Sequence, residues 1–164
     1  MTEIERLMVE PFQRPVRTIA VLAFALPLLS LVVYSRCPAF DFVNFDDPMW
    51  VTDNIHVVTG LEWDNVVWAF STRGIAGSGN WQPLTWLSLM LDVELFGVEA
   101  YGFHLTNILL HAANTLLLFV VLLRMTGNPW PSAFTAAVFC IHPMHIESVA
   151  WITERKDVVS AFFG

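Results

Sequence analysis

Long apolar runs alternate with polar segments along the chain, and this pattern predicts an all-α membrane protein. The first run covers 18–35 and has 18 residues without a charge, close to the ~20 needed to cross a bilayer core. The second run covers 103–123 and is 21 residues long, uncharged if its histidines are neutral. We expect both to be membrane-spanning helices, with a cleaved signal peptide as the alternative for the first.

Two further apolar runs follow a tight turn at 126–131. The third is apolar only over 132–141, so a helix over 130–150 spans the membrane only if its polar outer end is enclosed by protein. A fourth helix is predicted over 157–164, where the chain stops in mid-helix. We therefore expect a fragment, with a cytoplasmic segment over 1–17 and the first part of a membrane domain over 18–164.

The segment 37–102 between the first two spans is far longer than most connections, which favours a function for it. It contains five of the seven tryptophans. Apolar residues recur at helical spacing over 61–72, and the segment 83–96 begins with proline and keeps three polar residues on one side of an apolar cylinder. Both segments are typical of interfacial helices that lie along a membrane surface.

The distribution of charge predicts which side of the membrane each segment faces. Residues 37–103 carry a net charge of −8, whereas residues 1–36 carry +1 and residues 104–164 are neutral. By the positive-inside rule, Arg14 and Arg17 hold the start of the first span in the cytoplasm and the acidic loop lies outside. The overall charge of −7 also argues against nucleic acid as a partner.

An acidic pair, Asp46 and Asp47, follows the first span and is flanked by Phe42, Phe45 and Trp50. Adjacent carboxylates held at a membrane surface are expected to raise each other's pKa, and a raised pKa makes a carboxylate a useful general base. The alternative is an Asp-Pro turn in which Asp47 is the capping residue.

A polar stripe runs along the second predicted span. His104, Asn107, His111 and Asn114 follow one another at spacings of 3, 4 and 3 residues, which places all four on one face of a helix. Polar residues at membrane depth face the helix bundle, where they either mark a functional site or hydrogen-bond neighbouring helices. The two histidines lie about 10 Å apart along the helix axis, too far to share a metal ion without other ligands.

A second group of polar residues, His142, His145 and Glu147, lies toward the outer end of the third run. These residue types are those of a metal triad, but their spacing matches no helical metal-binding motif. We therefore predict no metal site and keep the three residues as candidates for a polar site.

Two basic residues, Arg155 and Lys156, lie near the predicted outer face, where the positive-inside rule disfavours them. A cation at such a place needs an anionic partner, and a lipid phosphate is one candidate. The alternative is a local ion-pair cluster with the neighbouring Glu154 and Asp157.

Four sequence blocks over about Phe40–Gly164 resemble, in their order, the amino-terminal membrane region of TMTC-type proteins and their bacterial homologues. TMTC stands for transmembrane and tetratricopeptide repeat containing, and these proteins resemble members of the GT-C glycosyltransferase superfamily. The blocks are FVNFDD, NWQPLTWLSLMLD, FHLTNILLHAANTLLLF and HPMHIESVAWITERKD.

This resemblance implies a polytopic GT-C helical bundle in the membrane, the inner membrane if the source is bacterial. It implies an inverting glycosyltransferase that needs no cofactor and no metal. Such an enzyme moves mannose or another hexose from a polyprenyl-phosphate carrier to a protein Ser or Thr hydroxyl on the outer or lumenal face. It also implies tetratricopeptide repeats after the membrane part, so the fragment alone is expected to be inactive.

The resemblance also suggests roles for individual residues. The family's acidic pair falls on Asp46, the better candidate for the base, and Asp47. Its outer arginine falls on Arg155, so Arg155 and the adjacent Lys156 are the candidates for binding the donor phosphate. The chain departs from the eukaryotic members at Gln82, where they have arginine, and at Lys156, where they have a small residue.

Two other functional classes compete with the enzyme. A non-enzymatic membrane scaffold or channel subunit explains the polar stripe as helix packing, but leaves the acidic pair and the outer arginine unexplained. A metal transporter built on the histidines predicts tight binding of divalent metal by the purified protein.

Overall fold

The all-α prediction is confirmed in the computed structural model, which describes residues 3–71 and 81–163, with side chains from Val16 onward. The described residues form helices and turns and contain no strand. The α-helices are α1 (Glu3–Val33), α2 (Ile55–Val58), α3 (Trp63–Phe70), α4 (Pro83–Phe96), α5 (Ala100–Thr126), α6 (Pro129–Ile141), α7 (His145–Ala150) and α8 (Arg155–Phe163).

Two stretches of the described residues, Val16–Ala39 and Ala100–Thr126, are long and apolar enough to cross a membrane by length and composition. They contain both predicted spans, and α1 continues without a break through most of the predicted cytoplasmic segment. Helices α1, α5 and α6 pack around a small apolar core formed by Leu26, Phe119, Ala133 and Ala136. Two such stretches support a membrane protein, while the polytopic bundle stays a prediction.

The prediction of one continuous helix over 130–150 is wrong, because the helical conformation is interrupted between α6 and α7. Pro143 disfavours a helical conformation at the residue before it, and His142 is extended, with ψ 130°. The 13 residues of α6 extend about 20 Å at 1.5 Å per residue, too short to cross a bilayer. The fourth predicted helix begins at Arg155, after a 3₁₀ turn over Ile152–Glu154.

The long loop between the two spans has its own core. Helices α2, α3 and α4 pack together with the turns around them. This core is largely aromatic and aliphatic and includes Trp50, Val51, Val57, Ala69, Trp86, Leu89, Met90, Phe103 and Ile152. Because Phe103 and Ile152 come from α5 and the 3₁₀ turn before α8, the loop is fixed on the helices that follow it.

Helix α3 turns its apolar residues outward. Trp63, Val67 and Phe70 are 77%, 51% and 51% exposed, whereas Asn65 and Ala69 are buried. The Asn65 amide is held inside by hydrogen bonds to the Thr59 hydroxyl and the Gly60 carbonyl oxygen. An exposed apolar stripe agrees with the predicted interfacial helix. The end of that prediction, at residue 72, lies outside the described residues.

Labelling of single cysteines tests the predicted orientation. In a background in which the two buried free cysteines, Cys37 and Cys140, are serine, we expect Ser71→Cys to react with an impermeant thiol reagent in intact cells. Thr126→Cys should not react, because Arg124 keeps that end of α5 in the cytoplasm. The opposite pattern of labelling overturns the orientation, and labelling both sites after permeabilisation is the control for accessibility.

Candidate functional site

The two carboxylates of the acidic pair have different surroundings. Asp46 is partly exposed, whereas Asp47 is completely buried at the start of a π-helical turn over Pro48–Thr52. Asp47 does not cap that turn with its side chain. Its Oδ2 instead accepts a hydrogen bond of 2.7 Å from the Val43 N–H, so the carboxylate fastens the preceding residues.

Residues from the other end of the chain complete the surroundings of Asp47. The Trp151 indole nitrogen and the Thr153 hydroxyl lie near its carboxylate. Within the described residues, both atoms and Asp47 Oδ1 are buried without a hydrogen-bond partner. Burial raises the pKa of Asp47, while the Val43 N–H, Trp151 and Thr153 act in the opposite direction. The expected cause, repulsion between the two adjacent carboxylates, is therefore not what raises the pKa of Asp47.

The raised pKa predicts that Asp47→Asn makes stability less dependent on pH. A carboxyl with a raised folded-state pKa binds its proton more tightly when folded. Its contribution to stability is complete below its unfolded pKa, about 3.9, and is lost as the pH rises through the folded pKa. We expect the melting temperature of the wild type to fall more steeply than that of Asp47→Asn from about pH 4 upward. Equal slopes contradict this prediction, and the exposed Asp41→Asn is the control.

The polar stripe of α5 is buried, and three of its four residues bind backbone carbonyls of other elements. The accepting carbonyls of Cys140, Val149 and Trp151 lie at the ends of α6 and α7, where helical partners are missing and side-chain donors can satisfy them. The fourth carbonyl, that of Val158, lies inside α8. This arrangement supports the interpretation of these three residues as interhelical hydrogen-bond donors. Asn107 Nδ2 donates to the carbonyl oxygens of Val149 at 3.3 Å and Trp151 at 3.2 Å. His111 Nε2 donates to the Cys140 carbonyl oxygen at 3.0 Å. Asn114 Nδ2 donates to the Val158 carbonyl oxygen at 2.9 Å.

His104 is the exception in the stripe. It is 2% exposed, and neither ring nitrogen has a hydrogen-bond partner in the part of the chain that the structure describes. The edge of its ring contacts Phe40, with 6.2 Å between the ring centroids. Phe40 follows the first apolar stretch and Arg155 is also near, so His104 lies at the end of the stripe that is next to Phe40 and Arg155.

The second group of polar residues is only partly brought together. The His145 ring lies 5.6 Å from that of His111 and 6.2 Å from that of His142, measured between centroids. Glu147 is exposed. Within residues 16–71 and 81–163, no three His, Cys, Asp or Glu side chains form a cluster suited to a metal ion.

Arg155 lies at the centre of a buried polar cluster, with its side chain fully inside the protein. Its Nη1 forms an ion pair with Asp92 and also donates to the Ser88 carbonyl oxygen at 3.1 Å. Its Nε donates to Asn107 Oδ1 at 2.8 Å, and its Nη2 donates to the Phe103 carbonyl oxygen at 2.6 Å. All three nitrogens of the guanidinium are therefore engaged by α4 and α5.

This cluster differs from both expectations for Arg155. The guanidinium faces the interior rather than a lipid phosphate, and its anionic partner is Asp92 rather than Glu154 or Asp157. Asp92 is also held by the Thr106 hydroxyl, 2.6 Å from its Oδ1. Burial raises the pKa of Asp92, and the neighbouring Arg155 opposes this rise.

Sequence reasoning did not identify Asp92 as a site residue. The available signal was an acid on the polar side of an otherwise apolar helix, together with an arginine in need of an anion.

Unlike the buried Arg155, Lys156 lines a cavity of about 540 Å³. Its side chain is 33% exposed, its Nζ lies 2.7 Å from Glu154 Oε1, and its ammonium is 5.9 Å from the centroid of the Trp50 ring. The cavity is mainly apolar, and its polar lining comes from α8 and the start of α4. Its walls include Phe70, Trp81, Gln82, Pro83, Leu84, Thr85, Asp157, Val159, Ser160 and Phe163.

Comparison with known proteins finds several protein O-mannosyl-transferases among the relatives of the chain. Over about four-fifths of its length the chain is 32% identical to the protein O-mannosyl-transferase Tmtc2 of Drosophila melanogaster. It is 34% identical to TMTC1 and 31% identical to TMTC4 of Mus musculus, which carry the same description. The chain spans only 14% of the length of the first two and 20% of the third. No protein-family model and no solved structure matches it.

Proposed function

The chain is a relative of the TMTC-type protein O-mannosyl-transferases, and on that premise we propose that it forms part of the active site of a membrane glycosyltransferase. The donor is a polyprenyl-phosphate-linked hexose, mannose in the first instance. The acceptor is a Ser or Thr hydroxyl of a protein on the outer face of the membrane. The two apolar stretches belong to a larger polytopic bundle of GT-C type.

The observation that carries this proposal is the difference in burial between the two residues of the acidic pair. Asp47 is buried and fastened to Val43, whereas Asp46 beside it is partly exposed. A general base must be held in place and still be able to reach its substrate. Asp46 meets both conditions because the carboxylate next to it anchors the turn.

Asp46 takes the proton of the acceptor hydroxyl as the hydroxyl oxygen attacks the anomeric carbon. The bond between that carbon and the donor phosphate breaks, and the phosphate leaves with the bonding electrons. Direct displacement inverts the anomeric configuration. Because phosphate is already a good leaving group, the reaction needs a base and a nearby cation rather than an acid on the leaving group.

Lys156 is the better of the two predicted cations for the departing phosphate. Its ammonium is partly exposed, and its ion-pair partner among the described residues is Glu154, in a surface pair that contributes little and is readily exchanged. The adjacent apolar cavity suits the first isoprene units of a carrier lipid. The exposed stripe of α3, formed by Trp63, Val67 and Phe70, rests in the membrane interface.

A transfer assay tests the proposed function. Purified full-length protein in lipid nanodiscs is given radiolabelled polyprenyl-phosphate mannose and a Ser/Thr-containing peptide. We expect label on the peptide, an inverted anomeric linkage by NMR, and no label on the matched peptide in which alanine replaces each Ser and Thr. Failure to transfer mannose or any other hexose from this carrier overturns the proposal.

A non-enzymatic membrane scaffold is the second candidate, favoured by the hydrogen bonds of Asn107, His111 and Asn114 to other elements. It explains the stripe but requires no reachable carboxylate. The scaffold predicts that Asp46→Asn leaves every cellular function of the protein unchanged. The enzyme predicts that the same variant folds and is inactive.

A further inference from the structure

We infer that Arg155 is a positioning residue: together with Asp92 and Asn107, it fixes the segment 151–153 against which the acidic pair rests. This inference builds on the proposed function only in giving Asp46 the role of base. The structural part, that Arg155 determines the position of the loop 42–47, stands independently of any activity.

The hydrogen-bonding groups of Arg155 are already occupied by the protein itself. Its side chain is fully buried, and its acceptors come from two helices, α4 and α5. The Phe103 ring lies against the guanidinium, 5.6 Å from its central carbon. A phosphate could reach this guanidinium only after displacing Asp92, so direct contact with substrate is excluded in this arrangement.

Arg155 also sets the orientation of the Asn107 side chain. A guanidinium has only hydrogen-bond donors, so the group facing it must be the amide oxygen. The amide nitrogen of Asn107 is thereby directed to the carbonyl oxygens of Val149 and Trp151. Arg155 and the segment after α7 are thus joined through a single buried amide.

The same segment is connected to the acidic pair. The Phe45 ring packs against the Trp151 ring, with 6.0 Å between the centroids. The buried indole nitrogen of Trp151 and the buried hydroxyl of Thr153 lie near the Asp47 carboxylate. Ile152, between them, is completely buried in the loop core. A shift of this segment therefore moves the surface on which residues 45 to 47 rest.

Loss of Arg155 frees the Asn107 amide and leaves Asp92 as a lone buried charge. Movement of a catalytic group by about 1 Å reduces turnover by about 10²-fold. Donor affinity, in contrast, depends on groups that touch the donor. The inference therefore predicts a loss in kcat without a matching loss in donor binding.

The experiment compares Arg155→Met and the double variant Asp92→Leu/Arg155→Met with the wild-type full-length protein. The double variant removes both charges, so no lone charge remains buried and the protein still folds. Arg124→Met, the same change at an exposed arginine, is the matched control. The three measurements are hydrogen exchange of residues 42–53, binding of farnesyl phosphate, and kcat for sugar transfer.

We expect both Arg155 variants to exchange residues 42–53 faster and to lose about 10²-fold in kcat, with farnesyl phosphate binding within about twofold of wild type. Arg155→Lys should recover only part of kcat, because a lysine cannot reach the acceptors on both helices at once. Unchanged exchange in 42–53 overturns the inference, and so does tenfold weaker farnesyl phosphate binding in the double variant. Faster exchange in a protein whose wild type transfers no sugar would instead refute the proposed function and leave the positioning role intact.

Discussion

Asp46→Asn is expected to lower sugar transfer by about 10²- to 10⁴-fold, the range for removal of a general base, while the amount of folded protein stays unchanged. Asparagine keeps the size and polarity of the side chain but cannot accept the proton of the acceptor hydroxyl. Among the described residues, the Asp46 side chain has no hydrogen bond or ion pair that the substitution would break. Its backbone oxygen continues to accept from the Trp50 N–H at 3.0 Å.

Two neighbouring aspartates serve as controls for this result. Asp41 is exposed and only accepts from the Phe42 N–H, so Asp41→Asn should retain wild-type turnover. Asp47→Asn should alter stability as well as turnover, because Asp47 fastens the turn. Wild-type turnover in Asp46→Asn would place the base elsewhere. A fall in protein level alone would favour a purely structural turn.

Asp92→Ala is expected to destabilise the protein by about 3–5 kcal/mol, the usual cost of breaking a buried ion pair by removing one partner. The substitution leaves the Arg155 guanidinium charged and buried, and it removes the acceptor of the Thr106 hydroxyl. Thermal melting of the detergent-solubilised protein measures the loss. The double variant Asp92→Leu/Arg155→Met should recover most of it, because neither charge is then left alone.

Asp157→Ala is the matched control for Asp92→Ala. Asp157 is exposed and its Oδ2 accepts a hydrogen bond of 2.8 Å from the Ser148 hydroxyl, so its removal should change stability by about 0.5 kcal/mol or less. If Asp157→Ala is as destabilising as Asp92→Ala, the loss of stability in Asp92→Ala is not specific to its buried ion pair with Arg155.

The sequence by itself was sufficient for features that depend on local periodicity. The two long apolar stretches, the helix at 83–96 and the buried face of α5 all follow from the spacing of apolar and polar residues. The resemblance to TMTC-type proteins was also visible in four ordered blocks, and the relatives found by comparison confirm it.

The break between α6 and α7 is explained only by the sequence and the tertiary structure together. Pro143 signals a helix end locally, but the requirement to cross a bilayer favoured a helix that continued through it. The shorter helix α6 is stabilised in the tertiary structure because His111 donates a hydrogen bond to the Cys140 carbonyl oxygen at the end of α6. Without that donor from α5, a buried helix end would leave its carbonyl unpaired.

Only the tertiary structure decided the roles within the two charged groups. The sequence indicated that Arg155 needs an anion, but nearby acids in the sequence were the natural candidates. Asp92 becomes the partner because the packing of α4, α5 and α8 buries both residues side by side. Likewise, the sequence does not show which of Asp46 and Asp47 is buried. Asp47 is buried near Trp151 and Thr153 and anchors the turn, whereas Asp46 stays accessible to substrate. The sequence could not show this difference, because desolvation depends on residues distant in the chain.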